Sequence, residues 1–161
     1  MLNEQVKRKR KIMLDKAYEK EPQLRKSKKN MYILLMSLFV LRICFTAFET
    51  VFVLLRGGSV LECVPDYISL IVYLVLSYLT YNGARLFAVI MAAGGVYTML
   101  SILLDSDFTY NLQHSDGLYK VYIFSLLAIG ALQLMLMLFI LIYKKFRHYF
   151  HIVEKINRNL A

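Results

Sequence analysis

Four long apolar runs alternate with short polar segments along the chain, at about 31–55, 64–81, 85–104 and 118–143. Each run is hydrophobic all round rather than along one stripe. A soluble four-helix bundle would show polar outer faces, so that reading fails. Each run is close to or above the roughly 20 residues that a helix needs to cross a bilayer. The second is the shortest, with an uninterrupted core from Tyr67 to Tyr81, and it must borrow Val64, Pro65 and Asp66. Pro65 suits a first helical turn, where no N–H partner is needed. Arg56-Gly57-Gly58-Ser59 breaks the first run, and Asn82-Gly83 is a turn signal between the second and third. The pattern predicts an all-α integral membrane protein with four transmembrane helices in a bundle.

The flanks are polar but patterned. Residues 1–30 form a basic N-terminal segment with a continuous run, Lys7-Arg8-Lys9-Arg10-Lys11, and a second cluster, Arg25, Lys26, Lys28 and Lys29, beside the first span. Val6, Met13, Leu14, Ala17 and Tyr18 make a weak helical stripe that Pro22 would end or kink. In the basic tail, 144–161, Phe146, Tyr149, Val153, Ile156 and Leu160 follow a heptad seam. The same phase runs back through Ile142, Phe139, Met135 and Leu132. This predicts one continuous helix from Leu118 to about Leu160, so that the last span carries a cytoplasmic amphipathic extension. Such an extension could lie on the leaflet with its apolar face down, or dock on a partner. The leaflet is the expectation here.

Charge then sets orientation. The chain has 161 residues, 58% of them hydrophobic, yet its net charge is +9. Mean hydropathy is +0.51. Both properties coexist only because they are segregated. Lys and Arg gather at the two ends, including Lys144, Lys145, Arg147, Lys155 and Arg158, while Glu62, Asp66, Asp105, Asp107 and Asp116 fall in or beside the first and third loops. The positive-inside rule therefore places both termini in the cytoplasm, N-in and C-in. A cell membrane, multi-pass location follows, and the compact size suits a bacterial plasma membrane. The basic residues are expected to meet anionic headgroups on the cytoplasmic side rather than nucleic acid. No cleavable leader is visible at the charged start, so the first span is expected to act as a signal anchor. Cys44 lies within a span and Cys63 in a loop, too far apart in depth for a bridge.

A few polar groups fall inside the apolar runs. Arg42 is near the midpoint of the first span, where a charge costs about 2.5–3.5 kcal/mol on insertion scales. Thr46 and Glu49 share its helix face, Glu49 being offset by about 20°. The second span offers Tyr73 and Ser77, with Ser69 and Thr80; the third offers Gly94, Thr98 and Ser101; the fourth offers Gln133 at a depth similar to Arg42. These predict a polar seam in which Arg42 meets Gln133 and Tyr73 or Ser77. The seam could hold helices together through hydrogen bonds. Alternatively, it could anchor an anionic solute or headgroup. Ala84, Ala88 and Ala92, followed by Gly94-Gly95, predict close helix packing.

Catalytic and cofactor motifs are not found: there is no nucleophile elbow, phosphate-cradling loop or zinc-protease helix. His148, His151 and Glu154 have helical spacing, but their basic neighbours oppose a cation. Asp105, Asp107, His114 and Asp116 fit a solvated outer loop better than a catalytic one. The expectation is a non-catalytic accessory or scaffold subunit that docks on a larger membrane complex through a membrane-protein partner; a homo-oligomer alone fits the second reading. The alternative is an oligomeric transporter or channel for a small anionic or polar solute, working through the Arg42–Glu49 seam.

Overall fold

The structure is a computed structural model that describes residues 4–105, 113–114 and 116–160. Every regular element among them is helical. In chain order these are α1 (Glu4–Lys20), α2 (Pro22–Leu55), α3 (Val64–Tyr81), α4 (Arg85–Leu103), α5 (Gly117–Ile142) and α6 (Lys144–Arg158), with a short 3-10 turn over Val60–Cys63. Helices α2, α4 and α5, and α3 together with the 3-10 turn, are long and apolar enough to cross a membrane.

Local chemistry sets the breaks. Pro22 occupies the first turn of α2 and forces Glu21 out of the helical region, to φ −133° and ψ 84°. The chain therefore turns between α1 and α2 at Glu21. The first long helix begins nine residues before Met31, so part of the basic N-terminal segment belongs to it. At the other end of α2, Gly57 takes φ +78°, and Ser59 with Glu62 forms a capping box that starts the 3-10 turn. Gly83 takes φ +92° between α3 and α4, a conformation that a side chain disfavours. Asp116 caps α5 by accepting a 2.8 Å bond from the Tyr119 N–H.

Packing is densest between α4 and α5, and α2 packs on α3 and α3 on α4. Small residues explain the first of these contacts. Gly95 is buried against the backbone of Gly130, and a Cβ at Gly95 would stand 2.8 Å from the Gly130 carbonyl oxygen. Ala92 and Ala88 are buried about one and two turns earlier. Contact between α2 and α5 is sparser, which makes the side-chain bonds between those two helices more important for their placement.

The tail departs from the sequence expectation. The last long helix stops at Ile142, Tyr143 is extended at φ −61° and ψ 122°, and α6 starts afresh at Lys144. Burial shows why a straight helix fails. Along the common seam, Met135, Phe139 and Ile142 are exposed, whereas Phe146, Tyr149, Val153 and Ile156 are buried. One stripe cannot face outward before Tyr143 and inward after it unless the axis turns there. After the turn, α6 packs on α2 and α1, joining a core that includes Leu24, Met31 and Leu35. The amphipathic tail is thus neither an extension of the last span nor laid on a leaflet by its apolar face. That face is covered by the chain itself.

The basic end is closed by caps on α3. The last carbonyls of a helix lack internal partners. Tyr149 of α6 donates to the Tyr81 carbonyl at 3.0 Å, and Arg10 of α1 donates to the Asn82 carbonyl at 2.9 Å. Arg10 also bonds Asn157 at 2.8 Å, and the Lys28 ammonium sits 4.6 Å from the centre of the Tyr81 ring. Cations suit this negative end of the helix dipole. Arg10 and Lys28, expected only as membrane-surface charges, are therefore tied into the fold. Lys7, Arg8, Lys9, Lys11, Arg25, Lys26 and Lys29 are exposed. Glu21 and His148 add a 2.7 Å contact between the start of α2 and α6.

Candidate functional site

Helix α2 carries Arg42, Thr46 and Glu49 on one side, since spacings of four and three nearly complete two turns. Thr46 and Glu49 are buried, and Arg42 is partly so. The Arg42 guanidinium donates through Nε at 3.1 Å and through a terminal nitrogen at 2.5 Å to Gln133 Oε1 of α5. Gln133 in turn donates from Nε2 to the Met91 carbonyl of α4 at 2.5 Å. One side-chain relay thus joins three helices. The Tyr73 ring of α3 lies 5.0 Å from the guanidinium carbon, a cation–π distance. The structure therefore brings Arg42 together with Gln133 and Tyr73.

Ser77 is buried one turn beyond Tyr73, and neither hydroxyl has a hydrogen-bond partner among the described residues. Other polar groups of the seam serve their own helices. Ser69 bonds the Asp66 carbonyl at 2.8 Å, Thr98 the Gly94 carbonyl at 3.0 Å, and Ser101 the Thr98 carbonyl at 3.0 Å. Thr50 bonds the Thr46 carbonyl at 2.9 Å and meets the Tyr67 hydroxyl at 2.9 Å, which adds a link from α2 to α3.

Glu49 accepts a short hydrogen bond from the Tyr122 hydroxyl of α5. Tyr122 was not among the residues expected from the sequence. It precedes Gln133 by eleven residues, about three turns, and so shares its face. That spacing, set beside the seven from Arg42 to Glu49 on an antiparallel helix, is the signal that could have found it. Phe45, Phe52 and Tyr119 surround the Tyr122 ring, with the Phe52 ring stacked at 4.7 Å. Beyond them Arg56 pairs with Asp116 at 2.6 Å, joining the end of α2 to the cap of α5. Three polar links thus hold α2 against α5 along its length.

No group of metal-ligating side chains is found among the described residues. His148 and His151 lie on α6, where His148 is engaged with Glu21 and Glu154 with Arg158. Asp107 lies outside the described residues. Cys44 and Cys63 are both free thiols. No known family model, curated protein or solved structure matches the chain.

Proposed function

We propose that the chain is a non-catalytic accessory or scaffold subunit of a larger complex in the cell membrane. Its four spans form a bundle with both termini cytoplasmic. The observation that carries this reading is the Arg42–Gln133–Met91 relay. It engages the central charge within the protein, as expected for a lock between helices rather than an open binding site. The Glu49–Tyr122 and Arg56–Asp116 links support the same view. A rigid body of this kind presents long apolar helix faces, including Ile68, Ile71, Val75 and Tyr78 of α3, to lipid or to partner helices. The orientation rests on the Lys/Arg bias of the ends.

Affinity purification from native membranes in a mild detergent tests this. A larger membrane protein should co-purify at fixed stoichiometry, and tagging that protein should recover this chain in return. Absence of any stoichiometric partner in both directions would refute it.

One observation favours a second reading. The Tyr73 and Ser77 hydroxyls are buried on α3 without partners, and the Tyr73 ring faces Arg42. Spare donors beside a guanidinium suit a small anion. A transporter would take up labelled anion into vesicles containing this protein alone, and Arg42→Gln would abolish that uptake.

A further inference from the structure

We propose that the basic end of the protein holds the phosphate of an anionic lipid in a pocket formed by the start of α4 and the start of α6. The pocket is a cavity of about 430 Å³. Besides His148, four basic side chains line it: Arg85, Lys144, Arg147 and His151. Among the described residues, none of the four is in a salt bridge or side-chain hydrogen bond. The one acid in the lining, Glu154, is already bonded to Arg158 at 2.6 Å. His148, also in the lining, is held by Glu21. The pocket therefore has an uncompensated positive charge.

Helix electrostatics sharpens the case. The N-terminus of a helix is the positive end of its dipole and favours acids. Yet α6 opens with Lys144, Lys145 and Arg147, has no acid in its first turn, and has no side-chain cap. Helix α4 opens with Arg85, again without an acid or a side-chain cap. Both arrangements are unfavourable in the empty protein, and both are relieved by an anion held among these side chains. Depth selects the lipid as the source of that anion. Arg85 is the first residue of an apolar span and Lys144 lies two residues beyond the end of another, so the pocket stands where headgroups begin. Buried Phe150 supplies an apolar wall. This inference is independent of the scaffold function.

The test is lipid retention by the detergent-purified full chain, read by native mass spectrometry with phosphatidylglycerol and phosphatidylcholine as probes. The wild type should keep one phosphatidylglycerol in preference to phosphatidylcholine. Arg85→Gln, Lys144→Gln and Arg147→Gln combined should weaken phosphatidylglycerol roughly 100-fold, at about fivefold per basic residue near an anionic headgroup. These side chains are exposed, and an unchanged unfolding midpoint confirms that the variant folds. Removing three charges elsewhere, by Lys7→Gln, Lys9→Gln and Lys11→Gln, should leave the preference intact. Equal loss in that control, or no loss in the pocket variant, would overturn the proposal. Displacement of the lipid by excess inorganic phosphate at matched ionic strength would also overturn it, in favour of a free-anion site.

Discussion

The Arg42–Gln133 pair predicts an asymmetric double-mutant cycle. Arg42→Leu removes the charge together with its two bonds to Gln133. Hydrogen bonds between membrane helices average about 0.6 kcal/mol, so the loss is about 1 kcal/mol. It is offset by removing a charge whose insertion alone costs about 2.5–3.5 kcal/mol. The cation–π contact with Tyr73 is lost as well, about 2 kcal/mol at a desolvated site, so the net change should lie near zero. Gln133→Leu removes the same bonds but leaves the guanidinium without its acceptor and also frees the Met91 carbonyl. That variant should lose about 2–3 kcal/mol, since a stranded charge falls back on its insertion cost. With Arg42→Leu added, most of this should return, which gives a coupling of about 2 kcal/mol. Unfolding in bicelles by steric trapping measures all four corners. Additive single effects, or a Gln133→Leu variant no worse than Arg42→Leu, would refute the relay.

The close approach of α4 and α5 predicts that Gly95→Ala costs about 1–3 kcal/mol, because its Cβ would meet the Gly130 carbonyl and the Leu134 N–H at 2.8 and 3.0 Å. Gly130→Ala should cost less, since the Met99 side chain that it meets at 2.9 Å can move; the same unfolding assay ranks them, and the reverse order would count against this packing. Gly83→Ala should loosen α6 by about 2 kcal/mol, combining a left-handed backbone position with a Cβ pressed to 2.7 Å from Val153 Cβ; protease cleavage within α6 should rise, and Val153→Ala should restore part of the protection. Burial raises the Tyr18 and Tyr149 hydroxyls above the usual tyrosine range. Their neutral forms are therefore the ones favoured by the fold, so their contribution is complete below about pH 10 and is lost as pH rises above it. Cleavage in α6 should stay flat from about pH 6 to 9 and climb only in the alkaline range; a climb near neutrality would contradict this.

Hydrophobic runs made the four long helices legible, because length and all-round apolarity leave little else. The residues that meet at the seam were legible too, since an intramembrane charge demands a polar partner and few exist. The partner of Glu49 was missed because Tyr122 is amphipathic and reads as one more apolar residue. The tail was misread for a different reason. A heptad seam gives the face of a helix but not the point where its axis turns, and Tyr143 has neither Pro nor Gly to mark it. What turns the chain there is long-range: Phe146, Tyr149 and Val153 find cover on α1, α2 and the Asn82-Gly83 turn. The same contact explains Arg10 and Lys28, whose roles depend on α3 ending beside them.

The mass of the native particle tests the accessory function most directly. The chain alone has a mass of 18.8 kDa. Native mass spectrometry of protein taken from its own membranes should give a particle that is not an integral multiple of this mass, and that releases this chain and a larger membrane subunit on activation. A particle made only of copies of this chain, or a monomer, would contradict the scaffold function and turn attention to a solute at Arg42.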